Sequence, residues 1–483
     1  MNKKMLITAA VLVVVLAVML CLVFILVPAL QQKQYENQTT TTTATTPAPE
    51  KLGTREEQEV LEITVERADD SFTFKREAYL EDWVLTKQPD LALNQNMVSS
   101  LVSNASSGIV NQDIKSDLGD LSQYGLDKPV ATVTIVFSDG EKQTYYLGNL
   151  TVTGSSCYAY REGVERVVTV PGNFYEYATS PLYAYAQPKD FSVDGPNATM
   201  IRIASGSDIL LEAHRLGEQT MSIGDYMITE PYQVLASTEF DTFAEYFSTI
   251  SLSGMVDVSN DNLQRYGLDT PAYAVTVEYD PDNIGGTGNF TMYIGDKSEN
   301  EEDYYVTFEG EQGVYTIKTT ALDFITQMNA FSLVNRMFML YAINYVDEVT
   351  VHAPDTDAVL TVIQPDTAQD ETARATFKLD GAGINRKAGN QWYQSILSIT
   401  SHGALPKGYT VSGEPEVTIF FKYLPGNNLT ENLFEFFPYE KDYYAVRVDG
   451  VTQFYCRREK VENMLTTLDQ LRAGKLDAED LSA

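Results

Sequence analysis

The feature that most constrains the fold is a six-residue phrase that the chain contains twice. YGLDKP occupies residues 124–129 and YGLDTP occupies residues 266–271, so the two starting tyrosines lie 142 positions apart. Alternating apolar residues follow the proline of each phrase, and the same alternation follows Pro415, where the phrase is replaced by YTVSGEP. A fixed period of this length predicts repeated structural units, each near the usual size of a domain.

Each repeat has the same order of predicted elements. Two runs with period-two alternation come first and predict half-buried strands. A helix-like segment follows in each copy, at residues 94–103, 241–250 and 391–400, and further strands come after the phrase. Runs of strands with single helices between them predict an antiparallel α+β fold. We place the three units at residues 58–190, 191–343 and 344–475, with a C-terminal tail at residues 476–483.

The phrase predicts a joint between a helical turn and a strand. Its glycine stands where a left-handed residue ends a helix, and its leucine follows as the apolar residue that packs back on that helix. Its proline favours extended backbone in the residue before it and so opens the strand. The tyrosine and aspartate have no such backbone role, and we interpret them as a packed ring and a turn residue. The motif residues are Tyr124, Gly125, Leu126, Asp127 and Pro129, and Tyr266, Gly267, Leu268, Asp269 and Pro271.

The N-terminal region predicts a membrane anchor. Residues 5–30 carry no charge and are long enough to cross a bilayer. Lys3 and Lys4 precede this run, so residues 1–4 are expected in the cytoplasm and the bulk of the chain outside it. The apolar run is too long for the alternative, a cleaved signal peptide. Residues 31–57 are rich in Thr and Pro and predict an extended tether, which makes the chain a single-pass protein of the cell membrane.

The formal net charge of −33 excludes several partners. A strongly acidic surface repels nucleic acid and anionic lipid headgroups, so the predicted helix is the only expected membrane contact. The main interpretation is a solvated acidic face, and the alternatives are Ca²⁺ binding or docking of a basic partner. Cys157 and Cys456 are the two cysteines beyond the predicted span, and we expect both to be free, buried thiols, with a disulfide bridge between them as the alternative.

The sequence contains no recognised catalytic or cofactor motif. Metalloprotease, phosphate-loop, dinucleotide and nucleophile-elbow patterns are all missing, and His214, His352 and His402 stand at non-equivalent places in the repeats. We therefore predict no catalytic residue, no cofactor and no metal site.

The turn at residues 280–288 is the candidate recognition loop. Loops carry binding more often than the joints between elements do, and its polar residues are Asp280, Asp282 and Asn283. Asp280 and Asp282 have the alternate spacing of a calcium loop, but Ile284 stands where such a loop needs an oxygen ligand. We interpret the segment as a turn.

The paired YGLDxP phrases, the returning strands that end in LGN and IGD, the aromatic strand after each and the single N-terminal span resemble a bacterial family described as a domain of unknown function. Members of that family are membrane-anchored, often hold several copies and tend to be encoded beside ABC transporters of the type associated with gliding motility. The resemblance implies a membrane location and a transporter partner, and it brings no catalytic residues.

The sequence thus predicts a non-enzymatic, membrane-anchored binding or scaffold protein with a protein partner, such as an ABC-type transporter complex. The first alternative is a cell-wall glycan hydrolase, which would need only two well-placed carboxylates among the 67 acidic residues. The second alternative is a passive surface spacer or adhesin.

Overall fold

The computed structural model describes residues 50–53, 55–115, 117–217, 225–282, 288–339, 342–365, 374–426 and 429–476. The predicted transmembrane helix at residues 5–30 lies outside these ranges. Within them, no helix is long and apolar enough to cross a membrane. The described strands form three antiparallel sheets of eight or nine strands, which confirms the predicted α+β class. By their contacts the described residues fall into two compact units, residues 50–70 with 101–178 and residues 71–100 with 179–476.

The first sheet has eight strands in the order β3-β2-β1-β5-β6-β7-β8-β4. The strands are β1 Val60–Glu66, β2 Ser71–Lys75, β3 Val84–Leu85, β4 Gln112–Lys115, β5 Ala131–Phe137, β6 Lys142–Leu150, β7 Ser156–Arg161 and β8 Val167–Pro171. Helix α1, Gln95–Ser107, stands between β3 and β4, and helix α2, Gly172–Thr179, follows β8.

The second sheet has nine strands in the order β12-β11-β10-β9-β14-β15-β16-β17-β13. The strands are β9 Ala198–Ser205, β10 Asp208–Arg215, β11 Tyr226–Glu230, β12 Val234–Leu235, β13 Gly254–Asp257, β14 Tyr273–Tyr279, β15 Phe290–Lys297, β16 Asp303–Phe308 and β17 Val314–Lys318. Helix α3, Thr238–Phe247, precedes β13, and the short helix α4, Asp323–Thr326, follows β17.

The third sheet also has nine strands, in the order β21-β20-β19-β18-β23-β24-β25-β26-β22. The strands are β18 Val346–Ala353, β19 Thr356–Ile363, β20 Thr376–Leu379, β21 Ala382–Gly383, β22 Ser401–Ala404, β23 Val417–Tyr423, β24 Glu431–Tyr439, β25 Tyr443–Val448 and β26 Val451–Arg457. Helix α5, Arg386–Leu397, precedes β22, and helix α6, Arg458–Arg472, follows β26.

The second and third sheets have the same strand order. The first has three strands before its helix, whereas the other two have four. In every copy the chain leaves one edge of the sheet, forms a helix, and adds the next strand at the opposite edge. These edge strands, β4, β13 and β22, have four residues each and no apolar alternation, so their sequence does not predict them.

Each helix packs an apolar stripe against the inner face of a sheet. Helix α3 buries Phe240, Phe243, Ala244 and Phe247, which belong to one core with the inward residues of the second sheet. Helix α5 begins five residues before the predicted segment, because the Asn385 side chain accepts hydrogen bonds from the first backbone amides of the helix. The outer face of each sheet is the face opposite these helices.

Candidate recognition surfaces

The repeated phrase forms the same joint in both copies. A short 3-10 helix, Ser122–Tyr124 or Leu263–Tyr266, ends at a glycine in the left-handed conformation, with φ of 70° at Gly125 and 65° at Gly267. The amide of Leu126 then donates to the Leu121 carbonyl at 3.1 Å. This chain reversal closes the helical end, and glycine suits it because a left-handed backbone strains a residue that has a Cβ.

The joint packs on a second glycine, which lies on the outer face of the sheet. A Cβ built on Gly295 of β15 would overlap the Tyr266 carbonyl oxygen and would lie 2.9 Å from Leu268 Cγ. A Cβ built on Gly148 of β6 would meet the first joint in the same way. Gly148 of LGN and Gly295 of IGD therefore leave the space that the leucine of each phrase occupies.

The tyrosine of the phrase also serves packing. Tyr124 contacts Tyr158 with ring centroids 4.9 Å apart, and Tyr266 contacts Tyr305 at 5.0 Å. The Tyr266 hydroxyl donates to Asp257 Oδ2 at 3.2 Å, and burial followed by this carboxylate raises the pKa of Tyr266 to about 12. Asp127 and Asp269 are exposed.

The third sheet fills the same place without a joint. Val130 follows Pro129 and Glu416 follows the equivalent Pro415. Their backbone amides donate to the carbonyls of Leu147 and Phe436, respectively. The next residue in the third sheet, Phe437, is therefore the counterpart of Gly148. Phe437 is buried, and the Arg447 guanidinium lies 4.7 Å from its ring centroid. Because a phenylalanine of the sheet itself covers this site, the third copy does not need the Gly-Leu pair of the phrase.

The predicted recognition loop is described only in part. Asp280 and Asp282 are exposed, and the Asp282 amide donates to Asp280 Oδ1 at 2.8 Å, the geometry of an aspartate turn. Asn283 lies outside the described residues. Among the residues that the structure does describe, no group of three or more His, Cys, Asp or Glu side chains is arranged to hold a metal ion.

A group of ring side chains lies on the outer face of the third sheet, and we call it the tyrosine cluster. It comprises His402, Tyr409, Tyr439, Tyr443 and Tyr455. The rings come from the adjacent strands β24, β25, β26 and β22 and from the segment that replaces the phrase. The four tyrosines are half-buried and the histidine is exposed, so the cluster is open to solvent.

Close contacts hold the rings of the tyrosine cluster in place. The Tyr455 ring lies directly on the Gly403 backbone, where a Cβ would be 2.5 Å from the tyrosine Cζ. Tyr443 and Tyr439 contact Tyr455 at 5.1 and 5.4 Å, and His402 stacks on Tyr443 at 5.3 Å. Burial and then the nearby Glu440 raise the pKa of Tyr439. Sequence reasoning missed this cluster because strand order is needed to bring the rings together.

The other two histidines are exposed, and each contacts one carboxylate on a separate hairpin. His214 Nε2 lies 3.0 Å from Glu212 Oε1, and this contact holds the pKa of Glu212 below its usual range. His352 Nδ1 lies 2.8 Å from Asp357 Oδ1. The structure thus places two histidines beside single carboxylates and the third, His402, against tyrosine rings.

A polar cleft of about 660 Å³ opens at the start of α3. Its lining includes Asp225, Glu239 and Asp241 beside Arg336. Burial and the neighbouring carboxylates Asp225 and Glu245 raise the pKa of Asp241. Three carboxylates therefore line the opening of this cleft.

Cys157 and Cys456 are free and buried, and burial raises the pKa of each thiol to about 12. Only the thiolate reacts with disulfide reagents, and a pKa near 12 leaves roughly one thiolate in 10,000 at pH 8. We therefore expect neither thiol to react with Ellman's reagent at pH 8 in the folded protein, and both to react after denaturation. A Cys21→Ser background restricts the count to these two residues. Rapid reaction of either in the folded protein would contradict its burial.

Comparisons with known proteins identify one family. Its description is Domain of unknown function (DUF4340), and it matches residues 83–255 and 228–381, which together span more than half of the 483-residue chain. The first match begins beside β3 and the second within β11, the third strands of the first and second sheets. Comparison with curated proteins and with solved structures gives no match. The chain belongs to the DUF4340 family.

Proposed function

We propose that the protein is a non-enzymatic, membrane-anchored binding or scaffold protein whose extracytoplasmic sheets contact a protein partner. The uncharged run at residues 5–30 supports the membrane anchor. The family resemblance supports an ABC-type transporter complex as the partner. The tyrosine cluster of the third sheet is the surface that we assign to the contact.

The observation that carries this proposal is a break in the repeat. In the first two copies the phrase tyrosine packs on its own sheet, while the third copy replaces the phrase and gathers four half-buried tyrosines around an exposed histidine. Tyrosine is enriched in interface hot spots because it offers a large, stiff contact surface with one polar end. The outer-face tyrosines of the first sheet meet in separate pairs, whereas the third copy joins its rings into one connected set, and such a continuous surface is suited to recognition.

The orientation of the rings in the tyrosine cluster favours a protein ligand over a glycan ligand. Stacking of several sugar rings along a glycan needs aromatic faces that share a plane, whereas the ring of Tyr455 is inclined by 47° to that of Tyr439 and by 82° to that of Tyr443. Tilted rings present both edges and faces, and side chains of a protein can pack against either. The tyrosine hydroxyls can form hydrogen bonds with backbone groups of the partner.

The strand beneath the tyrosine cluster is anchored on its other face. Tyr455 points outward, and its neighbour Phe454 points inward, where it joins the core of the second sheet. A recognition surface on a rigid strand loses little conformational entropy on binding, and this increases affinity. The placement of the cluster therefore suits a scaffold that holds a partner in a fixed orientation.

Photocrosslinking in native membranes tests the proposal. Full-length protein with p-benzoylphenylalanine at position 439 should capture a transporter subunit. The same probe at position 146 is the matched control, because Tyr146 is also a half-buried outer-face tyrosine, stacked on Tyr160 in the first sheet. In addition, Tyr439→Ala should weaken binding of the captured subunit roughly tenfold or more, as expected of an interface hot spot.

Three results would overturn the proposal. Equal capture from positions 439 and 146 would mean that the tyrosine cluster is not the contact surface. Release of soluble fragments from purified cell wall by the full-length protein would favour the glycan hydrolase. Capture of nothing specific from any position, with transporter activity unchanged after deletion of the gene, would favour the passive spacer.

A further inference from the structure

The segment between β2 and β3 presents an exposed leucine on a strained backbone. Leu80 is 82 % exposed, and its φ is +77°. The Glu81 amide donates to the Ala78 carbonyl at 3.2 Å, so Leu80 is the third residue of a β-turn. A positive φ at that place defines a type II turn, in which glycine or asparagine is the usual residue.

Leucine is an unfavourable choice for this turn on two grounds. A left-handed backbone crowds the Cβ of any L-residue, and an exposed leucine leaves apolar surface in water. In the described part of the chain, the other non-glycine residues with positive φ are Glu301, Asp380, Glu440 and Asp449, and all of these are acidic. Leu80 therefore carries a cost in backbone strain and exposed apolar surface that glycine at this position would avoid.

Side-chain contacts brace the residues on both sides of Leu80. The buried Arg76 guanidinium lies 4.5 Å from the ring centroid of Trp83 and 5.2 Å from that of Tyr79. The backbone of Trp83 is fixed in turn by the side chain of Gln95, which accepts from its amide at 2.8 Å and donates to its carbonyl at 3.0 Å. A braced turn with an apolar tip is a preorganised contact element.

We propose that Leu80, with the half-exposed Tyr79 beside it, is an anchor that inserts into an apolar pocket on a protein partner, and that basic residues surround this pocket. The charge around the tip selects this occupant, because Glu77, Glu81 and Asp82 are all exposed next to it. Carboxylates at this density oppose insertion into an anionic lipid surface and favour a rim of Lys and Arg. This inference rests on the proposed function, since it names a second contact with the same class of partner.

The test separates the role of the leucine in binding from its role in folding. Full-length protein carries p-benzoylphenylalanine at position 79, with Leu80 intact, with Leu80→Gly or with Leu80→Met. Glycine relieves the strain, so the Leu80→Gly protein should melt at the same or a higher temperature. It should nevertheless lose at least tenfold in crosslink yield from position 79. Leu80→Met keeps an apolar tip and should keep most of the yield.

The crosslinked site on the partner should map to an apolar pocket that has Lys or Arg at its rim, and the yield should fall as salt is raised. Equal yield with Leu80→Gly, a lowered melting temperature of that variant, or crosslinks only to lipid or to a second copy of the chain would overturn the inference. Capture from position 439 without capture from position 79 would reject this anchor and leave the proposed function standing. Capture from neither position would reject both.

Discussion

Replacing Gly295 with alanine should lower the free energy of unfolding by about 3 kcal/mol, the upper end of the usual range for overpacking. The new Cβ would overlap the Tyr266 carbonyl oxygen and lie 2.9 to 3.0 Å from the end of the Leu268 side chain. Neither neighbour can move freely. Both side chains are buried in a small cluster with Val314, and the Leu268 amide is held by the Leu263 carbonyl at 3.0 Å. The joint would have to lift from the sheet and expose this cluster.

Chemical denaturation followed by circular dichroism measures the loss, and Gly254→Ala is the matched control. Gly254 lies in the same sheet, at its edge strand β13, and a Cβ there meets no atom within 4 Å. The control should change the unfolding free energy by less than about 0.5 kcal/mol, as is usual at open surface sites. Equal effects of the two substitutions would show that the joint does not press on Gly295.

This prediction also shows which parts of the joint the sequence reveals. The left-handed glycine and the returning leucine could be predicted because both follow from local backbone geometry within six residues. The need for Gly148 and Gly295 could not, because the atoms that exclude a Cβ belong to a joint more than twenty residues away in sequence. Long-range packing of this kind leaves no local periodic signal.

The fold follows the same division between local and distant information. Alternation predicted the long central strands, such as β5 and β14, since one face of each is buried and the other is not. Alternation does not predict the edge strands β4, β13 and β22. Their four residues pair with β8, β17 and β26, which come later in the chain. The tyrosine cluster depends on the placement of β22 at this edge, since the Tyr455 ring packs on Gly403 of β22.

Replacing Phe454 with alanine should cost about 4 kcal/mol, because the change removes a buried aromatic ring and leaves a cavity. Phe454 lies on β26 of the third sheet but is buried in the core of the second. Its ring contacts Tyr232 at 5.0 Å, Phe331 at 5.9 Å and Phe338 at 6.3 Å. We further expect the variant to unfold in two steps, because this ring carries a strand of the third sheet into the core of the second.

Hydrogen exchange resolves the two steps, since amides of the second and third sheets can be followed separately. In the unmodified protein both sets should open together, and in the Phe454→Ala variant one set should lose protection first. Val451→Ala is the control on the same strand, because Val451 is 39 % exposed and its truncation should cost less than about 1 kcal/mol. Simultaneous opening in the variant would mean that polar contacts, such as the Gln233 amide donating to Gln453 Oε1 at 2.6 Å, suffice to couple the sheets. In that case β26 would stay fixed to the second sheet without the Phe454 ring. The hydrogen bonds of β26 would then account for the rigidity of the strand under the tyrosine cluster.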